Sequence, residues 1–287
     1  MNICDQDDRD KIDVAYGAEN WAETYEEYGP EYLENCHTSL ATLNKDIKSG
    51  KVKPENFVET KVIDMDKVKF TPGQKQMIDV VNAKIRGLIK EPVRMMVTGT
   101  AGTGKSFGVS CLKQILGKKL QIAATTGVAA HNIHGLTAHS VLKLPTKPEK
   151  GKELMSMTLQ DVQDRLEGVE WLIIDEMSMI GQKTLYWIDQ RLQQIKGVQE
   201  MFGGMNIIII GDFFQLPLVC ASLMFSELKL QESEKNRIGY NVYQKFNFAV
   251  ILKTIMRQQG EDYDQTRFRT ALLNIRKGIV DMADYTW

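Results

Sequence analysis

Residues 99–106 read Gly99-Thr100-Ala101-Gly102-Thr103-Gly104-Lys105-Ser106, which has the G-x-x-x-x-G-K-S spacing of a phosphate-binding loop. Glycines let a backbone wrap a phosphate without Cβ clashes, and successive N–H groups at a helix N-terminus point at the anion. Lys105 would neutralise the β- and γ-phosphates, and the Ser106 hydroxyl would ligate Mg²⁺. The chemistry implied is binding of a nucleoside triphosphate. Farther along, Asp175-Glu176 closes the apolar run Trp171-Leu172-Ile173-Ile174. Beside a phosphate loop, Asp175 is expected to hold Mg²⁺ and Glu176 to polarise an attacking water. A third stretch, Gly211-Asp212-Phe213-Phe214-Gln215-Leu216-Pro217, follows another apolar run, and its Gln215 could sense the γ-phosphate. His131, His134 and His139 have no acidic or thiolate partner nearby in sequence, so they read as facing an anion rather than a metal.

These residues need elements to hold them at one edge. Apolar, β-branched runs predict strands over 93–98, 120–124, 171–174, 205–210 and 248–252. Ile207-Ile208-Ile209-Ile210 is the most apolar of them and is expected to be central. Helices fall between: Met77, Val81, Ile85 and Leu88 mark one, and Leu185, Ile188, Leu192 and Ile195 another. A further helix runs from Ser106 to Leu116 and stops at Gly117, a short one covers Val128-Ala129-Ala130, and Phe268, Leu272, Ile275 and Ile279 line a last. The fold class is therefore α/β, a mainly parallel sheet covered by helices on both faces. All the suspected chemistry falls at carboxyl ends of strands, where open α/β sheets place their sites.

Ahead of the first strand, Phe70-Thr71-Pro72-Gly73-Gln74-Lys75-Gln76 offers Thr71 and Gln74 as a capping box, with Pro72 at the favoured first helical position. The Gln74 amide also carries the donor and acceptor that adenine recognition needs. Residues 141–168 form a polar insertion bearing Lys143, Lys147, Lys150 and Lys152, read as a solvated loop or as a lobe touching a phosphodiester strand.

The 287-residue chain is 43% hydrophobic and 25% charged, ordinary for a globular protein. No apolar run approaches the roughly 18 residues of a membrane-spanning helix. Cys4, Cys36, Cys111 and Cys220 are scattered without a C-x-x-C, which suggests neither a disulfide framework nor a zinc site. Residues 1–34 carry eleven acidic side chains against Arg9 and Lys11, so the rest of the chain is about +8 and suits an anionic partner. Within 1–66 an aromatic stripe (Trp21, Tyr25, Tyr28, Tyr32) is compatible with a helix, and 44–60 reads as a linker. No basic region followed by an apolar one opens the chain, so secretion is not expected.

With these residues in view, the chain resembles the Pif (petite integration frequency) family of DNA helicases, 5′→3′ superfamily-one enzymes related to the RecD subunit. Phe70 to Gln76 resembles the family's adenine-reading Q motif, which makes Gln74 a base contact, and Gly99 to Ser106 resembles motif I. The stretch from Thr125 through Ser140 resembles motif Ia, implying contacts to single-stranded DNA by Thr126, Gly127, His139 and Ser140. Asp175-Glu176-Met177-Ser178-Met179 is similar to the family's D-E-x-S-M box, and Phe202-Gly203-Gly204 with Gly211 to Pro217 to its segment around motif III. Met256-Arg257-Gln258 resembles motif IV, which makes Arg257 the candidate arginine finger. Leu218 stands where the family usually has a second proline. Leu142 to Pro145 and a short insertion between Trp187 and Phe202 also resemble helicase segments of Helitron transposons.

The resemblance implies a RecA-like motor domain over 67–255, an acidic extension over 1–66, and over 256–287 the start of a second motor domain whose motifs V and VI are absent. A longer chain or a partner would supply the remainder. It implies ATP and Mg²⁺ as ligands, single-stranded DNA as partner, and roles in DNA repair, recombination and telomere maintenance. Because residues 1–34 are too acidic for a transit peptide, the nucleus is expected rather than the mitochondrion. Two other readings use the same residues: a nucleotide- and DNA-binding module without unwinding activity, and a P-loop ATPase or kinase acting on something other than nucleic acid. The carboxylate pair Asp175-Glu176 speaks against a kinase.

Overall fold

A computed structural model describes residues 63–256 apart from Asp66, His134, Phe214, Leu216, Pro217, Val219 and Cys220, together with Thr266, Arg267, Thr270, Ala271 and Asn274. All belong to the compact unit spanning 63–287. The aromatic stripe at 21–32, the linker at 44–60, Arg257, and Phe268, Leu272, Ile275 and Ile279 lie outside the described residues.

Among the described residues six strands are formed: β1 (Arg94–Gly99), β2 (Leu120–Ala124), β3 (Leu136–Thr137), β4 (Trp171–Asp175), β5 (Asn206–Gly211) and β6 (Phe248–Leu252). The helices are α1 (Pro72–Ile85), α2 (Lys105–Leu116), α3 (Gly127–Asn132), α4 (Ala138–Leu142), α5 (Ser156–Arg165), α6 (Gln182–Lys196) and α7 (Glu234–Tyr243). The sheet order is β3-β2-β4-β5-β1-β6, and every pair is parallel.

Strands β4 and β5 are buried at every position, as expected for strands covered on both faces. Because side chains alternate, each strand feeds two cores. Trp171, Ile173, Ile208 and Ile210 join one with α1 and α2, while Leu172, Ile174, Ile207 and Ile209 join the other with α5, α6 and α7. Burying each of the four isoleucines contributes about 2 kcal/mol of gross stabilisation. A single polar replacement at Ile208 or Ile209 would therefore open one core.

Helix starts and stops follow local chemistry. Thr71 and Gln74 close the capping box of α1 in both directions, with Pro72 in the first turn. Gly197, in a left-handed conformation, ends α6, and the Ser233 side chain caps α7 by accepting the Asn236 N–H. Helix α6 continues from Trp187 through the following residues to Lys196 before turning toward Phe202.

Residues 141–168 differ from the solvated loop read from the sequence. They contain α5, with Val162 fully buried and Leu144 and Leu166 in the core against α6. Arg191 of α6, itself 3% exposed, donates to the carbonyls of Lys143 and Lys152. Gln194 brackets Leu154 with two hydrogen bonds of 3.0 Å, and Trp187 Nε1 donates to the Pro148 carbonyl at 2.7 Å. The arginine guanidinium also lies 5.1 Å from the Trp187 ring centroid and the Lys235 ammonium 4.9 Å from it. The four lysines of this segment give it a solvated look, yet its carbonyls and aliphatic residues fix it to α6.

Chain connections place a crevice. After β1 the chain enters α2 on one face, and after β5 it proceeds to α7 on the other. Adjacent strands whose continuations diverge in this way open a ligand crevice at their carboxyl ends.

Candidate nucleotide-binding site

The phosphate loop leaves β1 at Gly99 and enters α2 at Lys105. A Cβ on Gly99 would lie 2.6 Å from Thr103 Oγ1 and 3.0 Å from the Leu252 carbonyl oxygen, so the loop curls back over a position that must be glycine. Gly102 and Gly104 hold φ of 80° and 83°, which turns the chain tightly from strand to helix. Thr103 is buried and its hydroxyl donates to the Thr100 carbonyl at 2.8 Å. Lys105 Nζ donates to the carbonyls of Gly99 at 2.7 Å and Thr100 at 3.1 Å. Ala101 and Ser106 are exposed, the serine in the first turn of α2.

Gln74 meets this loop from α1. It is 2% exposed, accepts the Thr71 N–H through Oε1 at 3.1 Å, and donates through Nε2 to the Thr103 carbonyl at 3.4 Å. A Cβ on Gly104 would collide with that Nε2. Cap and loop contact are thus made together by one amide.

Asp175 ends β4 and is 8% exposed; its Oδ1 accepts the Glu176 N–H at 2.9 Å. Burial raises its pKa, opposed by that N–H and by the Lys105 charge. Glu176 sits at φ 60°, ψ 57°, a left-handed conformation that non-glycine residues seldom adopt. Its pKa is raised first by burial and then by the Asp175 and Asp212 carboxylates, with Lys105 pulling the other way. The mutual fields place Lys105 of β1's loop, Asp175 and Glu176 at the end of β4, and Asp212 after β5 in one neighbourhood. A carboxylate with a raised pKa is suited to take a proton near neutrality.

Gln215 is half-buried, and its N–H donates to the Asp212 carbonyl at 3.1 Å. Thr126 caps α3 by accepting the Ala129 N–H at 3.2 Å, which leaves Gly127 exposed at the helix start. Thr137 caps α4 in the same way, with His139 and Ser140 exposed in its first turn. Among the described residues no group of three or more His, Cys, Asp or Glu is arranged to hold a metal.

Following the sheet order, the carboxyl edge carries these groups in a row. His139 and Ser140 follow β3, Thr126 and Gly127 follow β2, and Asp175 and Glu176 end β4. Asp212 and Gln215 come after β5, the phosphate loop after β1, and Met256, the neighbour of Arg257, after β6. With about 4.8 Å between strands, the β2 end lies roughly 14 Å from the phosphate loop. Two hydrogen bonds that join these elements lie outside the sequence reading. The Thr125 hydroxyl donates to the Glu176 carbonyl at 2.9 Å, and the Met256 N–H donates to the Gly102 carbonyl at 2.7 Å. The position of each at a strand's carboxyl end was the available signal, but the pairing depends on which strands are neighbours.

The model of the family described as PIF1-like helicase matches residues 69–286. The chain belongs to the PIF1-like helicase family. This is the family its motifs resemble. An ATP-dependent DNA helicase PIF1 of Saccharomyces cerevisiae (strain YJM789) is 27% identical over 250 residues, covering 85% of this chain and 26% of that protein. An ATP-dependent DNA helicase Pif1 of Psychrobacter sp. (strain PRwf-1) is 34% identical over 137 residues, 46% of this chain and 21% of that protein. The crystal structure of a Pif1 helicase from Bacteroides in complex with ADP-AlF3 and ssDNA superposes with a TM-score of 0.59 at 30% identity, over 76% of this chain and 48% of that one. The chain therefore spans about a quarter of the length of these two curated PIF1-like relatives and about half of the solved one. The mainly parallel six-stranded sheet is that of the RecA-like helicase domain.

Proposed function

We propose that this chain carries the first motor domain of a Pif-type ATP-dependent DNA helicase, coupling ATP hydrolysis to 5′→3′ movement on single-stranded DNA. The observation carrying this reading is the row along the carboxyl edge, in which Lys105, Asp175, Glu176 and Asp212 share one electrostatic neighbourhood. The exposed first turns of α3 and α4 stand at the end of the same row.

In this reading the N–H groups of residues 99–104 and the Lys105 ammonium cradle the nucleotide phosphates, and Gln74 contacts adenine. A serine hydroxyl and a carboxylate are hard oxygen donors suited to Mg²⁺, so Ser106 and Asp175 are the residues that would hold it. When bound, Mg²⁺ neutralises phosphate charge. Glu176 orients the attacking water and takes its proton, a step its raised pKa favours. Gln215 reports the γ-phosphate to the DNA-facing elements, and Arg257 steadies charge developing in the transition state. Thr126, Gly127, His139 and Ser140 meet the strand through its backbone and without reading bases. In this reading residues 67–255 form the motor domain and 256–287 the beginning of a second. By family resemblance the setting is nuclear DNA repair, recombination and telomere maintenance.

The test is ATP hydrolysis with and without single-stranded DNA, alongside Lys105→Ala and Glu176→Gln, and unwinding of a tailed duplex. The reading expects DNA-stimulated turnover lost in both variants, with Glu176→Gln slowing it about 10²- to 10⁴-fold. A second reading is a nucleotide- and DNA-binding module without unwinding. Lys105-dependent ATP binding with negligible turnover and no strand separation would select it. ATP hydrolysis indifferent to DNA would reject both.

A further inference from the structure

Glu176 is held in a backbone conformation it would not choose. Its peptide is gripped from two sides. On one side Gly211, the last residue of β5, lies so close that a Cβ there would approach the Met177 nitrogen to 2.6 Å. On the other stands Thr125, the first residue beyond β2. Its N–H donates to the Asp175 carbonyl at 3.1 Å, extending the β2–β4 ladder by one rung. Its hydroxyl donates to the Glu176 carbonyl at 2.9 Å. The backbone of Asp175 and the peptide of Glu176 are thus both fastened to one threonine.

The next residue belongs to a different task. Thr126 is extended (φ −119°, ψ 157°) and caps α3, whose first residues, Gly127 and Val128, are exposed, Val128 at 71%. No flexible linker separates the two threonines: anything that shifts the start of α3 shifts Thr125. A residue in a sparsely populated φ/ψ region persists only while its surroundings determine it, so loosening one grip lets the Glu176 peptide rotate. The hydroxyl bond is also dispensable for the ladder, which the Thr125 N–H completes alone.

We infer that Thr125 is a positioning residue that couples engagement of single-stranded DNA at the start of α3 to the setting of the Glu176 peptide in the nucleotide site. The inference rests on the proposed binding of ATP and single-stranded DNA. Thr125 itself touches neither ligand in this scheme; it acts through the Glu176 carbonyl. Because coupling between two binding sites is reciprocal, it is readable from binding alone, without turnover.

The experiment measures the affinity of the full chain for a fluorescent ATP analogue with Mg²⁺, with and without saturating oligo-dT, and the converse. Thr125→Val removes the hydroxyl at nearly constant shape, and Thr125→Ser restores it. The expected result is a coupling factor of about fivefold or more in the parent chain and in Thr125→Ser. In Thr125→Val the factor falls to about one, with each ligand's separate affinity retained. Thr125→Ala repeats the comparison if valine disturbs the end of β2. Coupling undiminished in Thr125→Val, or a parent chain that binds both ligands independently, overturns the inference while leaving the proposed function standing. A parent chain that binds neither ligand removes the proposed function itself, and the inference with it.

Discussion

Replacing Glu176 by glycine and, separately, by alanine measures the backbone strain at the end of β4. Both variants delete the carboxylate, so both lose its burial, its repulsion from Asp175 and Asp212, and its attraction to Lys105. What remains between them is conformational. At an ordinary φ, alanine is the more stabilising of the two by about 0.5–1 kcal/mol, because glycine has more freedom to lose on folding. At φ 60°, ψ 57°, an L side chain instead costs about 1–2 kcal/mol. The order therefore inverts, with Glu176→Gly more stable than Glu176→Ala by about 0.5–1 kcal/mol. For a domain of 150–250 residues that corresponds to roughly 1–4 °C in melting temperature. Urea titration followed by the fluorescence of buried Trp171 provides the assay. Alanine equal to or above glycine would refute the left-handed placement of this residue. On the proposed function both variants also lose hydrolysis, leaving a glycine protein with less strain at the site and no activity, the usual direction of a stability–activity trade-off.

Other expectations follow from packing and charge. A Cβ on Gly239 of α7 would overlap the Gln182 carbonyl oxygen of α6, so Gly239→Ala should force the helices apart and lower the urea midpoint by the equivalent of about 1–3 kcal/mol. Arg191→Met leaves the Lys143 and Lys152 carbonyls without their donors at about 1 kcal/mol or more each; trypsin should then cut at Lys143–Lys152 markedly faster than in the parent chain. Burial pushes the Cys111 thiol from 9.0 up to about 11. Since the folded value lies above the unfolded one, its contribution to stability is complete below pH 9 and is lost as pH rises through 11. Native Cys111 should accordingly resist iodoacetamide at pH 8 and react only on unfolding, as followed by peptide mass spectrometry.

Much of the site is legible in residue order, because its chemistry depends on local spacing. The phosphate loop needs consecutive residues, and Asp175-Glu176 announces itself by following four buried apolar ones. The unbroken apolar runs Trp171 to Ile174 and Ile207 to Ile210 likewise fit a sheet covered on both faces, which the structure displays. Other features depend on relations that no window of sequence contains. Thr125 reaches Glu176 only because β2 lies beside β4, two strands that are not consecutive in the chain. Nothing in the identity of Glu176 foretells a left-handed backbone; the neighbours Thr125 and Gly211 impose it. Residues 141–168 mislead for a compositional reason. Their lysines suggest solvent, whereas Leu144, Val162 and Leu166 point inward and Arg191, distant in sequence, supplies the donors that its carbonyls need.

The hydrogen bond from Met256 to Gly102 has a practical consequence for anyone dissecting this protein. A fragment designed by element boundaries would end after β6 at Leu252, and one designed by motif boundaries would end at residue 255. Either cut removes a donor to the phosphate loop itself, so the apparent ligand affinity of such a fragment would describe an edited site. The smallest honest excision of the nucleotide site carries the chain through residue 256, and the border of the domain is set by its own loop.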